Sequence, residues 1–370
     1  ILTKRINNER GVCYYCGQCG RSCGVYADFS ASSCLVFPAQ RSSQGRLDLY
    51  VNSMVREISV DNDGKANGII YINKEDNKEY KINAKVVVLA ASACESARIL
   101  LNSKSKYHEN GIGNSSNMVG KYLHDSTGTN NMAFIPDLMN RKTYNEDGMG
   151  NMHLYTPWWL DNKNLDFPRG YHIEVWGGLG APAYGFGFNY NSLNKYFGIE
   201  IGGYGDRVRE EVKKYYGSTI GFSTRGEAVP NKNNYCEIDP EKKDKYGIPV
   251  LRFNYKWSDY ERKQAKHMNE TVKKIVHNIG GHMLWENKGP EHGLLTPGEV
   301  IHEVGTTRMG NDPNTSVVNK YEQLHDSKNV FIVDGGPFVS QADKNPTWTI
   351  MALSWRTSEY IVDQLKKQNI

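Results

Sequence analysis

The 370-residue chain contains no apolar run long enough to span a bilayer. It has no block of like charge either. Its 45 Lys and Arg nearly balance 41 Asp and Glu, a formal net charge of +4, and the two signs interleave. Neither a nucleic-acid footprint nor a polybasic membrane patch is expected from that pattern. No internal repeat and no low-complexity linker is visible. A G-x-G-x-x-G loop between a strand and a helix is also missing. Such a loop lets backbone N–H groups and a helix N-terminus meet a pyrophosphate. Without it, this stretch is expected to lack the main cradle of a dinucleotide site. The chain opens Ile1-Leu2-Thr3-Lys4-Arg5, without Met or a legible signal peptide, and reads as a fragment or a processed product.

What remains is globular in character. Apolar residues are 39% and charged residues 23%, which excludes a disordered chain. The length suits one large domain or two ordinary ones. Aromatics reach 11%, with 23 Tyr, a content that serves packing or a sugar-stacking pocket.

Residues 11–34 are dense in Gly and Cys and read as a loop. The run from Leu47 to Val60 predicts a strand, Asn62-Asp63-Gly64 a turn, and Gly68 to Ile72 the return strand. Glu79 to Ile82 suggests a third. Val86 to Ala91 is continuously apolar, as in a fully buried parallel strand, and a helix is expected from Glu95 to Leu101. From about residue 130, short strand-like runs alternate with Gly-rich turns such as Gly177-Gly178-Leu179-Gly180 and Tyr184-Gly185-Phe186-Gly187-Phe188. Asp259 to His277 is an amphipathic helix with Met268, Val272, Ile275 and Val276 on its apolar side.

The densest signal lies near the end. It comprises His302-Glu303-Val304-Gly305-Thr306-Thr307-Arg308-Met309-Gly310, then Asp334-Gly335-Gly336-Pro337, then Asn345-Pro346-Thr347-Trp348-Thr349. Asp334-Gly335 follows the apolar run Val330 to Val333, a strand-end turn of the kind that approaches a cofactor closely. Asn345-Pro346-Thr347 reads as a helix start, with Asn as N-cap and Pro at the first helical position. The three motifs in this order resemble the C-terminal signature of the glucose–methanol–choline (GMC) flavin oxidoreductases. Arg225 to Asn231, Asp239-Pro240 and Gly247-Ile248-Pro249 resemble that family's substrate domain, especially in its gluconate- and sugar-dehydrogenase branch. Val119-Gly120-Lys121-Tyr122-Leu123-His124-Asp125 resembles another family segment, but Ser126 stands where the family has His. No catalytic role is assigned to His124 or Asp125.

The resemblance implies a two-domain fold of α/β and α+β character. Residues 1–130 would be the rear part of a Rossmann-like FAD-binding domain, with the Cys-rich loop at 11–34. Residues 131–297 would be an antiparallel-sheet substrate domain. Residues 298–370 would return to the FAD domain with the catalytic motif. The N-terminal third of a full-length member would be absent. FAD is the implied cofactor, with Val55, Ala90, Asp334, Gly335, Pro346 and Thr347 beside it. His302 would be the base and Asn345 its partner. A flavin-linked alcohol oxidation needs a proton acceptor whose pKa lies near neutrality, and His supplies one with least tuning. A lone His is otherwise more often structural; His153 and His172 are expected at the surface, with the lining of the substrate side as the alternative.

Cys13-x2-Cys16-x2-Cys19-x3-Cys23 has the spacing of a bacterial iron–sulfur run, lacking the Pro that usually follows. A cluster there would carry electrons to an external acceptor, such as a cytochrome or small subunit. Zinc would want a second Cys-x2-Cys unit, which is missing. A disulfide or plain buried thiols also fit. Cys34, Cys94 and Cys236 are isolated. Two functions stay open: FAD-dependent oxidation of a CH–OH group in a sugar, sugar acid or polyol, or a non-catalytic piece that depends on a separate N-terminal chain. An electron-transfer module built on the Cys loop alone would leave the C-terminal motif unexplained.

Overall fold

The computed structural model describes residues 2–16, 22–140, 154–156, 164–177, 190–198, 204–286 and 290–370. Cys19, His153 and the glycine runs at 178–180 and 184–188 lie outside them.

The Gly/Cys-rich loop ends in a π-helical turn, Ser32–Val36, that runs into the short helix α1 (Phe37–Ser42). Strands β1 (Ser53–Val60), β2 (Ala66–Asn73) and β3 (Glu79–Asn83) follow as an antiparallel meander. The first turn forms because Asp61 Oδ1 accepts from the Asp63 and Lys65 amides at 2.9 and 3.0 Å. β4 (Val87–Leu89) pairs in parallel with β12 (Val330–Ile332), joining the two ends of the chain. Helix α2 (Ala93–Asn102) packs Ala97 and Leu100 into the same core as Ile58, Leu89, Val318 and Ile332. Arg98 ties this layer to the hairpin of β9 (Tyr235–Lys243) and β10 (Pro249–Asn254). Its Nη2 reaches Asp244 Oδ2 at 2.7 Å and its Nε the Pro249 carbonyl at 2.8 Å.

A second, five-stranded antiparallel sheet has the order β11-β5-β8-β7-β6. Its members are β5 (Thr127–Phe134), β6 (Leu154–Thr156), β7 (Tyr171–Gly177), β8 (Thr219–Gly226) and β11 (His282–Glu286). Strand periodicity gives the sheet two unlike faces. Tyr171, Ile173, Phe222 and Ala133 face Met268, Val272 and Val276 of α5 (Asp259–Asn278). His172, Glu174, Ser223 and Arg225 alternate with them and so occupy the opposite face. Ser258 and Glu261 start α5 with a capping box. Helices α3 (Tyr190–Phe197) and α4 (Asp206–Tyr215) bring Leu193 and Tyr215 against Phe134. The last helix, α6 (Thr347–Lys366), closes the chain.

Three expectations change. Leu47 to Val51 is no strand: four of the five residues are large apolar groups 42–68% exposed, and the ladder begins only at Ser53. Alternation alone cannot supply a pairing partner. The parallel strand is three residues long and is not fully buried, because Val88 at its centre is 46% exposed. Helix α6 starts at Thr347 with Pro346 as its cap residue and no side-chain cap bond. The Asn345 side chain is engaged elsewhere, as described next.

Candidate active site

Asp125 organises the loop that carries His302. Its carboxylate, 1% exposed, accepts the His302 amide at 2.9 Å, the Gly298 amide at 3.0 Å and its neighbour Ser126 at 2.8 Å. Burial pushes this carboxyl up to about 6, although the His302 amide pulls the other way. One residue earlier, His124 and Val304 exchange two backbone hydrogen bonds of 3.0 and 2.9 Å. The amides of Gly305 and Thr307 then reach the carbonyls of Gly335 and Gly336. Segments 120–126, 302–309 and 333–337 are thus laced together.

The His302 ring is held at both nitrogens. Asn345 Nδ2 lies 3.3 Å from Nε2, and Ser126 Oγ lies 3.2 Å from Nδ1. An amide nitrogen donates, so Nε2 carries the lone pair and Nδ1 the proton, which goes to Ser126. Gln341 Nε2 donates to the same Ser126 oxygen at 2.8 Å. Asn345 Oδ1 in turn accepts from the Tyr155 hydroxyl at 3.2 Å. Desolvation, aided by the Arg225 charge and opposed by Glu174, pushes His302 down to about 4. At neutral pH the ring is uncharged, and its pKa lies below the near-neutral value expected of the base.

Asp334 and Gly335 meet the same structure from below. The Asp334 carboxylate, 6% exposed, accepts Ser96 Oγ at 2.5 Å and the Gly336 amide at 2.8 Å. Burial raises its pKa. Pro346 is buried and Thr347 exposed at the start of α6, next to Asn345. Val55 is half-buried on β1, and Ala90 is exposed just past β4.

Several site groups escaped the sequence reading. His172 is not at the surface but fully buried. Its Nε2 is 3.1 Å from Glu174 Oε1, and its Nδ1 is 3.3 Å from Asp343 Oδ2 without hydrogen-bonding geometry. Tyr155 packs against this ring with centroids 5.0 Å apart. The available signal was the period-two pattern Tyr171-His172-Ile173-Glu174-Val175, whose polar members share one face.

The six described cysteines are all free thiols. Among the described residues no group of three or more His, Cys, Asp or Glu is arranged to hold a metal. Cys13, Cys16 and Cys23 nevertheless all act on the Tyr14 phenol, Cys16 most, and raise its pKa. Backbone amides of Tyr15 and Ala27 reach Cys13 Sγ at 3.4 Å and Cys23 Sγ at 3.2 Å. Burial works to raise the Cys23 thiol, and backbone donors outweigh it to leave it lowered. Cys236 is buried and pushed up to about 12, and desolvation raises Cys94 as well.

His124 gives the site a pH-dependent stability. Desolvation pushes it down to about 4, although the Tyr122 carbonyl, 2.7 Å from its Nδ1, opposes this. The unfolded ring titrates near 6.5. As pH falls, the unfolded chain takes the proton first. The contribution is whole above about 6.5 and is lost between there and about 4. Thermal unfolding at pH 7 and 4.5 should show a loss of roughly 2–3 kcal/mol that His124→Asn removes. Equal acid sensitivity in the two proteins would disprove it. Asp125 and Glu322, raised to about 6 and 7, act in the opposite direction and cancel in this comparison.

Among the described residues no helix is long and apolar enough to cross a membrane. Two sequence-family models, both described as GMC oxidoreductase, match residues 2–127 and 230–354. The 2-methyl-1,2-propanediol dehydrogenase of Mycolicibacterium austroafricanum is 30% identical over 85% of this chain and 54% of its own length. The fructose dehydrogenase large subunit of Gluconobacter japonicus is 26% identical over 90% of the chain and 57% of its own. The gluconate 2-dehydrogenase flavoprotein of Pantoea cypripedii is 26% identical over 99% and 58%. The chain therefore spans a little over half the length of these curated relatives. In the crystal structure of pyridoxine 4-oxidase from Mesorbium loti the fold recurs with a TM-score of 0.60 at 16% identity, covering 90% of this chain and 61% of that one. With both ends of the sequence matched by one family and its fold shared, the chain belongs to the GMC oxidoreductases.

Proposed function

We propose that this chain forms the substrate-facing and catalytic part of an FAD-dependent dehydrogenase. It would oxidise a CH–OH group of a sugar, sugar acid or polyol and pass the electrons to an external acceptor, a cytochrome or small subunit. The observation that carries this reading is the neutral His302 ring held between Ser126 and Asn345, with its Nε2 lone pair directed at the Asn345 amide. The names of the relatives, dehydrogenases of a diol, of fructose and of gluconate, support the substrate class.

The residues fit a flavin. The first turn of α6 has no side-chain cap, and Thr347, Trp348 and Thr349 are exposed. Its free N–H groups suit an electron-rich ring edge. Asp334 and Gly335 form a close-approach turn, and Val55 and Ala90 would lie along the adenine half. FAD, when bound, supplies the hydride acceptor. His302 Nε2 takes the hydroxyl proton, and the Asn345 amide orients the substrate oxygen. Asp125 keeps the ring in place through the His302 amide. Cys13, Cys16, Cys19 and Cys23 would ligate an iron–sulfur cluster, which soft thiols suit; backbone N–H groups reach Cys13 and Cys23, and Cys19 lies outside the described residues.

An absorption spectrum of the protein, purified without oxygen and supplied with FAD, tests the reading. Flavin bands that bleach on adding fructose, gluconate or a diol are the expected result. A brown shoulder lost on replacing Cys16 by Ser would establish the cluster. A protein that stays colourless with FAD present would reject it in favour of a non-catalytic piece.

A further inference from the structure

The sheet face that looks toward His302 carries Arg225, a cation whose hydrogen-bonding capacity is largely unspent among the described residues. Arg225 on β8 lies opposite His172 of β7 and Gly128 of β5. A Cβ at residue 128 would come within 3.0 Å of Arg225 Nη1, so the missing side chain leaves the guanidinium its place. That group makes one hydrogen bond among the described residues, from Nη1 to the Thr224 carbonyl at 2.7 Å, and no ion pair within 4 Å. Burial weakens its hold on its proton. A guanidinium offers five donors in a planar fork suited to a carboxylate.

The neighbouring charges have nearer partners. Glu174 is held by His172, and Asp343 by Lys344 at 2.5 Å. Glu174 reaches Arg225 only as a longer-range attraction. Arg225 Nη1 and Val300, two residues before His302, lie 3.0 and 3.2 Å from the place a Cβ would take at residue 128. On the same face Asn130 Oδ1, on β5 across from Ser223, has no hydrogen-bond partner among the described residues.

We propose that Arg225 is the anion anchor of the site and that the preferred substrate is a polyhydroxylated carboxylate, with its acid group on Arg225 and the oxidised carbon at His302. The oxidation itself rests on the function proposed above; the anion site does not.

The flavin-loaded full-length enzyme is tested with D-gluconate and with its uncharged counterpart D-glucitol. The expected kcat/KM ratio favours gluconate by on the order of 100-fold, as a buried charge-assisted contact would give. Arg225→Met should collapse that ratio mainly through KM, and Arg225→Lys should recover part of it. A wild-type enzyme that prefers glucitol, or Arg225→Met losses equal for both compounds, would overturn the proposal. If neither compound bleaches the flavin, calorimetry with gluconate decides. Binding lost in Arg225→Met but kept in Arg225→Lys upholds the anion site while the oxidation fails, and no binding to the wild type ends it.

Discussion

Replacing His302 by alanine in the flavin-loaded enzyme should slow flavin reduction by its alcohol by about 100- to 10,000-fold, the usual worth of a positioned base. The flavin should stay bound. His302 fixes its loop through its backbone amide on Asp125, which alanine keeps. The lost group is the imidazole between Ser126 and Asn345. Stopped-flow reduction without oxygen separates chemistry from reoxidation. An unchanged reduction rate would remove His302 from the mechanism, and loss of flavin would make its role structural.

Gly305→Ala should be the most damaging small substitution near the site. Gly305 has φ +95, a conformation that costs an L-residue about 1–2 kcal/mol. Its new Cβ would overlap the Tyr122 carbonyl oxygen and lie 2.7 Å from His124 Nδ1. Those two atoms are already bonded to each other at 2.7 Å, so neither can yield alone. Moving them pulls on both hydrogen bonds between His124 and Val304. A loss of about 3–5 kcal/mol is expected in urea unfolding, with faster hydrogen exchange at the Val304 amide. A change below about 1 kcal/mol would mean that the loop relaxes freely.

How much of this was legible depended on how local the cause was. Helix α5 could be read directly, because Met268, Val272 and Val276 repeat on one face. The turn at Asn62-Asp63-Gly64 was equally local. The order of the C-terminal motifs pointed to the family without any structure. The polar face of the five-stranded sheet was hidden for the opposite reason. His172 and Arg225 are register partners across more than fifty residues, and only the pairing of β7 with β8 puts them together. Leu47 to Val51 misled because alternation describes a strand's faces but not its neighbour. Asn345 misled because its side-chain oxygen, which a cap would use, accepts from Tyr155 while its nitrogen donates to His302.

The Asp125 clamp also sets a schedule for synthesis. Its contact with the His302 amide spans 177 positions along the chain. A ribosome adding about 5–20 residues per second needs roughly 10–35 s to cover that distance. Throughout this interval the carboxylate of a nascent chain has no loop to hold. The parallel strand at Val87–Leu89 waits longer still, until Val330–Ile332 emerges to pair with it. The pairing of Asp125 with the His302 loop is therefore made only after residue 302 has emerged, when all five strands of the antiparallel sheet are already out.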